Sequence, residues 1–449
     1  MLVKLIHRAR CAYISGIEYP VWGVLLRGVD LVFAGTDMIE GHGGSHLASR
    51  FLLPTAGQTP DRNAVRSRPI VVLIAIDGWR WDYLDRMPAP TLRGLARLGV
   101  RAEALVPVFP TLTFPNHYTI VTGLRPAHHG IISNTMLDPG IPGRFTLSDQ
   151  KVTGNPAWWS GEPIWQTATR QGLKSATMFW PGSDVAIGGR YPTYWRPFVD
   201  ALPAADRTTQ VIDWLRQPDP DRPSLLTLYF SDLDTAGHDE GPDSAAVATA
   251  AATVDAQLAR LVKAVDDLDL EARVHWVVVS DHGMSALGAD RVIVLDDYID
   301  PSVLQIVDIG AWLTFNPVTL SDDDAYNRIA NKHPHLRVFR SSDLPARYGL
   351  AGHPRLARIV GLADDGWTVT TRERLSKRET GSPWGGAHGF DPAFTSMHGL
   401  LIASGPRLRT GMRVPAVENV HLYALMCDVL GLQPAPHDGD PTIVRGWLR

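Results

Sequence analysis

Three nearly continuous apolar runs constrain the fold of this chain more than anything else in it. They are PIVVLIAIDGW (69–79), LLTLYFSDLD (225–234) and VHWVVVSDHG (274–283). Each has the length of a strand, and none alternates apolar with polar residues. A strand with one wet face shows that alternation; a run without it suits a strand buried on both faces of a parallel sheet. Each run also ends in acidic residues, at Asp77, Asp234 and Asp281. Between the second and third runs, Val247, Ala251, Val254, Leu258, Leu261, Val265 and Leu268 recur at spacings of three and four and mark one face of an amphipathic helix. Strands alternating with helices predict an α/β sandwich with a mostly parallel central sheet flanked by helices. In open sheets of this kind ligands bind beyond the carboxyl ends of the strands. The three acidic ends are therefore expected to converge on one site.

Taken singly, these residues have ordinary explanations. Asp77-Gly78 reads as a turn. Asp234 and His238, four apart in DLDTAGHDEGP, read as a helix cap and a loop residue, and His388 in GGAHGFD as polar surface. Asp281-His282 in SDHG is the stronger signal, because it places two ligand types in one tight turn. The argument rests on co-occurrence: Asp77, Asp234, His238, Asp281, His282 and His388 form a set of six N/O donors near loop tips, without thiolates. Catalytic zinc sites use such donors and leave a position open. Six suit two ions roughly 4 Å apart.

FPTLTFPNHYTIVTGLRPAHHGIISN (109–134) adds a hydroxyl. The pattern places Thr113 as N-cap of a helix beginning at Phe114-Pro115, proline being tolerated in the first turn. Thr113 reads either as a cap alone or as a nucleophile, its hydroxyl activated by coordination to a metal ion. A helix N-terminus favours phosphate oxygens, and the Asn134 amide is suited to hold a non-bridging oxygen.

The segment TLTFPNHYTIVTGL followed by P-x-x-HGI-x-x-N resembles the nucleophile segment of the nucleotide pyrophosphatase/phosphodiesterase family, within the alkaline phosphatase superfamily. FWPGSDV (179–185), DTAGHDEGP, SDHGM, HGFDPAFTSMHGLLIASGP and NVHLYALMCDVLGLQPAPHDG resemble further segments of that family, and the likeness spans about 69–440. The resemblance implies an alkaline-phosphatase-like sandwich and hydrolysis of phosphodiester or pyrophosphate bonds, with nucleotides giving nucleoside 5′-monophosphates. It implies two Zn2+ per chain: one held by Asp234, His238 and His388, the other by Asp77, Asp281, His282 and Thr113. Thr113 would attack and form a covalent phosphothreonine, and Asn134 would bind the phosphoryl oxygen with the backbone N–H of Thr113 or its neighbour. Phe114 and a second aromatic would sandwich the base; Tyr194 is the candidate, with Trp195 adjacent. The resemblance assigns no role to His117, His128, His129 or His398, for which structural hydrogen bonding is expected. Asp/His sites accept several divalent ions.

Residues 1–68 read as an atypical leader and linker. YPVWGVLLRGVDLVFAG (19–35) is too short and too charged for a transmembrane helix and has no clean signal-peptide core. Residues 69–449 are expected to form the catalytic domain, with an α+β insertion or lid at about 286–385. A charge balance of 43 basic against 47 acidic residues, with no basic run, gives no nucleic-acid-binding surface. Two cysteines, Cys11 and Cys427, exclude a disulfide framework and a thiolate metal site. The likeness points to a compact, bacterial-type enzyme in the periplasm or secreted. Alternatives are a phosphodiesterase for choline-type headgroups, a phosphomonoesterase or sulfate-ester hydrolase on the same scaffold, and a non-catalytic binding protein. A threonine where sulfatases need cysteine or serine counts against the sulfatase.

Overall fold

The computed structural model describes residues 68–449; the leader expected at 1–68 lies, but for Arg68, outside the described residues. The first apolar run forms β1 (Ile70–Ile76), and every residue in it is buried. The chain continues through β2 (Val100–Ala102), β3 (Ser175–Met178), β4 (Tyr194–Trp195), β5 (Leu225–Phe230) and β6 (Val274–Val279). It then builds a separate four-stranded sheet from β7 (Leu304–Asp308), β8 (Trp312–Pro317), β9 (Leu336–Arg340) and β10 (Ile359–Ala363). It returns as β11 (Leu401–Ser404) and β12 (Met412–Val414) to complete an eight-stranded sheet of order β12-β2-β11-β6-β1-β5-β3-β4. β1 lies at its heart, parallel to both β5 and β6. β11 runs antiparallel to β6 and β2, so the sheet is mixed but mostly parallel.

All residues of β1, β5 and β6 are buried, which requires cover on both faces. The cover comes from α1 (Pro90–Leu98), α2 (Thr113–Thr122), α3 (Ala204–Leu215), α4 (Asp232–Glu240), α5 (Ala245–Asp267) and α6 (Leu422–Leu430). α5 packs on α1, α3 and α4, and α6 packs on β1 and α2. α5 buries Val247, Ala251, Val254, Leu258, Leu261 and Val265, the face its spacing predicts, and Leu268 closes it as the C-terminal cap. By length and composition alone α5 could cross a membrane; here its apolar stripe is part of the core. α1 has no capping side chain of its own. Asp255 of α5 supplies the cap by accepting from the Thr91 and Leu92 amides at 3.0 and 2.9 Å.

The insertion has α+β content, with a helix Asp322–Ile329 against its antiparallel sheet. Ile293, Leu313, Phe315 and Phe390 belong to its own apolar cluster, whereas Trp312, Tyr348 and Val360 join the main core. Arg355 donates to the carbonyls of Gly130 and Trp158, both at 2.7 Å, and Ser133 Oγ donates to Asp308 at 3.1 Å. The insertion thus backs the segment that carries Asn134.

Candidate active site

The carboxyl ends of β1, β5 and β6 bring the acidic residues together. Asp77 follows β1 directly; Asp281 and His282 follow β6. Asp234 and His238 sit one turn apart on α4, so both side chains leave the same helical face. Two glycines permit the close approach. Gly78 has φ +69°, and a Cβ there would lie 3.0 Å from the Asp234 Cα. Gly385, at φ +64°, lets the His388 loop run against α4, where a Cβ would fall 1.8 Å from the His238 carbonyl oxygen.

His238 Nε2 lies 3.4 Å from Asp234 Oδ2, and His388 Nε2 lies 3.8 Å from Asp234 Oδ1. His282 Nε2 lies 3.4 Å from Asp77 Oδ1 and 3.0 Å from Asp281 Oδ2. Three overlapping groups have donor atoms within 4.8 Å of one another: Asp234–His238–His388, Asp77–Asp234–His282 and Asp77–His117–Asp281. The first is the triad that the resemblance implies. The second and third divide the other expected set, with His282 in one and Asp281 in the other, each beside Asp77.

The chemistry of this donor set fits cations. His238, His282 and His388 each donate Nδ1–H to a backbone carbonyl at 2.9 Å, of Gly386, Gly283 and Thr111 respectively. Such bonds fix the tautomer and leave Nε2 as the free donor, as metal-binding histidines require. Asp77 Oδ1, Asp234 Oδ1 and both carboxylate oxygens of Asp281 are buried without an aligned hydrogen-bond donor, an expensive state unless positive charge sits beside them. Burial, followed by the Asp281 and Asp234 charges, holds the Asp77 carboxyl well above its usual range. Burial works against charge on His282, but Asp281 outweighs it and pushes the imidazole up to about 10. Tyr229 donates to Asp77 Oδ2 at 2.7 Å and leaves Oδ1 facing the cluster.

Thr113 is the first residue of α2, not its cap. Leu112 holds the N-cap position, and no side chain caps the helix. The expected capping role is thus corrected: the Thr113 hydroxyl points instead to His282 Nε2, 3.4 Å away. Asn134 accepts the Phe114 N–H through Oδ1 at 2.9 Å, which turns Nδ2 outward. The amide of Thr113's neighbour is therefore already engaged by Asn134.

Thr113, Phe114 and Asn134 line a cavity of about 640 Å³ that also reaches Asp77, Asp234, His238 and His388. Its far wall carries Leu147, Trp159, Phe198 and Val199, with Asp184, Arg196 and Asp200. Tyr194 is not on that wall, which corrects its assignment. Its hydroxyl reaches the Asp221 carbonyl at 3.2 Å, while Trp195 stacks on Tyr191. β4 ends at Trp195, and the cavity begins beyond it; Phe198 is the aromatic residue of this segment that reaches the cavity. No residue lining this cavity falls between 286 and 385.

Asn116 escaped sequence reasoning, and His117, for which structural hydrogen bonding alone is expected, also faces Asp281. Asn116 accepts the Val108 amide and donates to the carbonyls of Pro110 and Leu112, fixing the approach to Thr113. His117 is fully buried; its Nδ1 lies 2.9 Å from the Thr113 carbonyl and 3.3 Å from Asp281 Oδ2. Its position one helical turn after Thr113 was the available signal. His129 is a core hydrogen-bonding residue, its Nδ1 accepting from the Ile131 amide at 3.1 Å and its Nε2 lying 3.0 Å from Thr119 Oγ1.

Carboxylates and imidazoles grouped beyond a sandwiched, mostly parallel sheet place the chain among metal-dependent proteins of alkaline-phosphatase-like fold. Residues 71–391 match the family model described as Type I phosphodiesterase / nucleotide pyrophosphatase, and the chain belongs to that family. Mouse ectonucleotide pyrophosphatase/phosphodiesterase family member 3 is 36% identical over 390 residues, covering 83% of this chain and 43% of its own length. This chain thus spans less than half of that relative. Human family member 5 is 32% identical over 393 residues, covering 88% of this chain and 80% of its own. The solved structure of murine family member 5, as an inactive threonine-to-alanine form in complex with AMP, superposes with a TM-score of 0.79 at 33% identity, covering 85% of this chain and all of that one.

Proposed function

We propose that this chain hydrolyses phosphodiester or pyrophosphate bonds of small nucleotides, releasing nucleoside 5′-monophosphates, with Thr113 as nucleophile and two Zn2+ as cofactors. The observation that carries this reading is the Thr113 hydroxyl at a helix N-terminus, 3.4 Å from His282 Nε2 and open to the cavity. One ion would be held by Asp234, His238 and His388, the other by Asp77, Asp281, His282 and Thr113. When bound, such ions lower the pKa of a coordinated hydroxyl and neutralise charge on the attacking and leaving oxygens.

The protein's own groups do the rest. Thr113 Oγ gives up its proton to solvent and forms a bond to phosphorus as the bond to the leaving oxygen breaks, giving a phosphothreonine and the departed alcohol or phosphate. Water then displaces Thr113 Oγ, which regains its proton. Asn134 Nδ2 donates to a non-bridging oxygen, and the N-terminus of α2 favours the same negative charge. Phe114 and Phe198 flank the base, a contact worth roughly 1–3 kcal/mol and tolerant of base identity. The catalytic unit is residues 69–449, with 286–385 as its insertion. We read its location as the periplasm or the cell exterior, a reading that the ectonucleotide names of its relatives support.

A choline-ester substrate has one feature in its favour: Asp184 and Asp200 share the cavity with Phe114, Trp159 and Phe198, a combination that suits a quaternary ammonium. One assay separates the readings. Purified protein with Zn2+ is given a chromogenic nucleotide diester, the matching monoester and a chromogenic choline ester. Faster turnover of the nucleotide diester, abolished by chelation and restored by Zn2+, is expected. Faster cleavage of the monoester would make this a phosphatase, and of the choline ester a headgroup hydrolase.

A further inference from the structure

The most heavily bonded carboxylate outside the metal cluster belongs to Asp391, three residues after His388. Its side chain is 3% exposed. It accepts from Arg347 Nη1 at 2.8 Å, from Arg347 Nη2, from Tyr348 OH at 2.6 Å, from Arg337 Nη2 at 3.2 Å and from the Ala393 amide at 3.0 Å. All three side-chain donors come from the insertion, and Asp391 is not among the cavity-lining residues. Burial opposes charge on Asp391, but Arg347 and Tyr348 overcome it and hold the carboxyl well below the usual range.

Tyr348 has a second contact. Its ring packs on Phe109 with centroids 4.3 Å apart, and Phe109 lies four residues before Thr113. Between the two segments, Thr111 interlocks with the His388 loop. Its carbonyl faces His388 Nδ1 at 2.9 Å, its hydroxyl accepts from the Gly389 amide at 3.0 Å, and that hydroxyl donates to the Phe390 carbonyl at 2.8 Å. One tyrosine therefore grips the start of the nucleophile segment with its ring and the end of the His388 loop with its hydroxyl.

We infer that Tyr348, with the Arg347–Asp391 ion pair, is a positioning residue for the metal centre, through which the insertion sets cation affinity without contributing a ligand. This rests on the reading of His388 as a ligand. Partners that orient metal ligands typically change affinity by 10–100-fold when lost. Tyr348→Phe removes the hydroxyl and keeps the ring on Phe109, so the fold is retained. Arg347→Gln, at a half-exposed position, weakens the same clamp independently.

The test is calorimetric titration of the metal-free full chain with Zn2+, alongside its metal-free Tm, for wild type, Tyr348→Phe, Arg347→Gln and His388→Ala. The expected result is about tenfold weaker binding at one of the two sites in both clamp variants, with the metal-free Tm within a few degrees of wild type and one ion lost in His388→Ala. Wild-type affinity in the clamp variants, with an ion still lost in His388→Ala, overturns the positioning role and leaves the ligand set standing. Unchanged binding in His388→Ala overturns the ligand reading itself, and the inference with it.

Discussion

Asn134 and Thr113 communicate through one backbone group, the Phe114 amide that donates to Asn134 Oδ1. Because that bond orients Nδ2 rather than holding substrate, Asn134→Ala should lower kcat by about 10²–10³-fold, as loss of an oxyanion donor does, with KM little changed. A rise in KM at constant kcat would instead assign Asn134 to ground-state binding. The far wall offers a paired comparison. Phe198→Ala is expected to raise KM for nucleotide diesters by a stacking increment of roughly 1–3 kcal/mol, whereas Tyr194→Ala should leave KM near wild type; steady-state kinetics on both decides between the two rings. His129 contributes to acid stability. Burial holds its imidazole down at about 3, below the ordinary value near 6.5. The unfolded chain therefore takes up a proton below pH ~6.5 that the folded chain refuses until near pH 3, so its stabilising contribution is complete above pH ~6.5 and lost as pH falls across that window. Urea unfolding between pH 7 and 4 should show a slope containing about 1.4 kcal/mol per pH unit that is absent in His129→Gln.

At the scale of elements, the strands were legible because their evidence is local. A run such as IVVLIAI has no wet face, and in the fold every residue of β1 is buried between two parallel neighbours. The acidic strand ends and the α4 pair follow from the same pattern, since i and i+4 on a helix share a face. What the pattern lacked was the end of a strand. Tyr194 and Phe198 share parity in an extended chain, but β4 stops at Trp195 and Pro197 intervenes, so only the later ring reaches the cavity. Asn116 and Tyr348 were silent because their partners lie in other segments or in loop backbone that composition does not encode. β1 is also where packing is least forgiving. Ile74→Ala, at the centre of a fully buried strand, should cost about 2–5 kcal/mol, read as a lower urea midpoint at unchanged m; a loss under 1 kcal/mol would mean the sheet repacks around the cavity.

Across the whole molecule, the sheet gathers three carboxylates beyond the carboxyl ends of its central strands, two of them fully buried, and the insertion braces the loops that complete the cluster. Such a fold pays an electrostatic cost that cations relieve. Saturating Zn2+ at about 100 times its Kd should add about 2.7 kcal/mol per site, so a chelator is expected to lower Tm by several degrees and excess Zn2+ to restore it; a chelator-insensitive Tm would argue against a built metal centre. The central claim is that Thr113 is the nucleophile of that centre, and the most direct measurement is kcat/KM of Thr113→Ala on a chromogenic nucleotide diester, with bound zinc counted on the same sample. The prediction is two zinc ions per chain, as in wild type, and a loss of at least about 10³-fold in kcat/KM. A variant that keeps its zinc and turns over within a few-fold of wild type would contradict the account, and with it the role drawn from the first residue of α2.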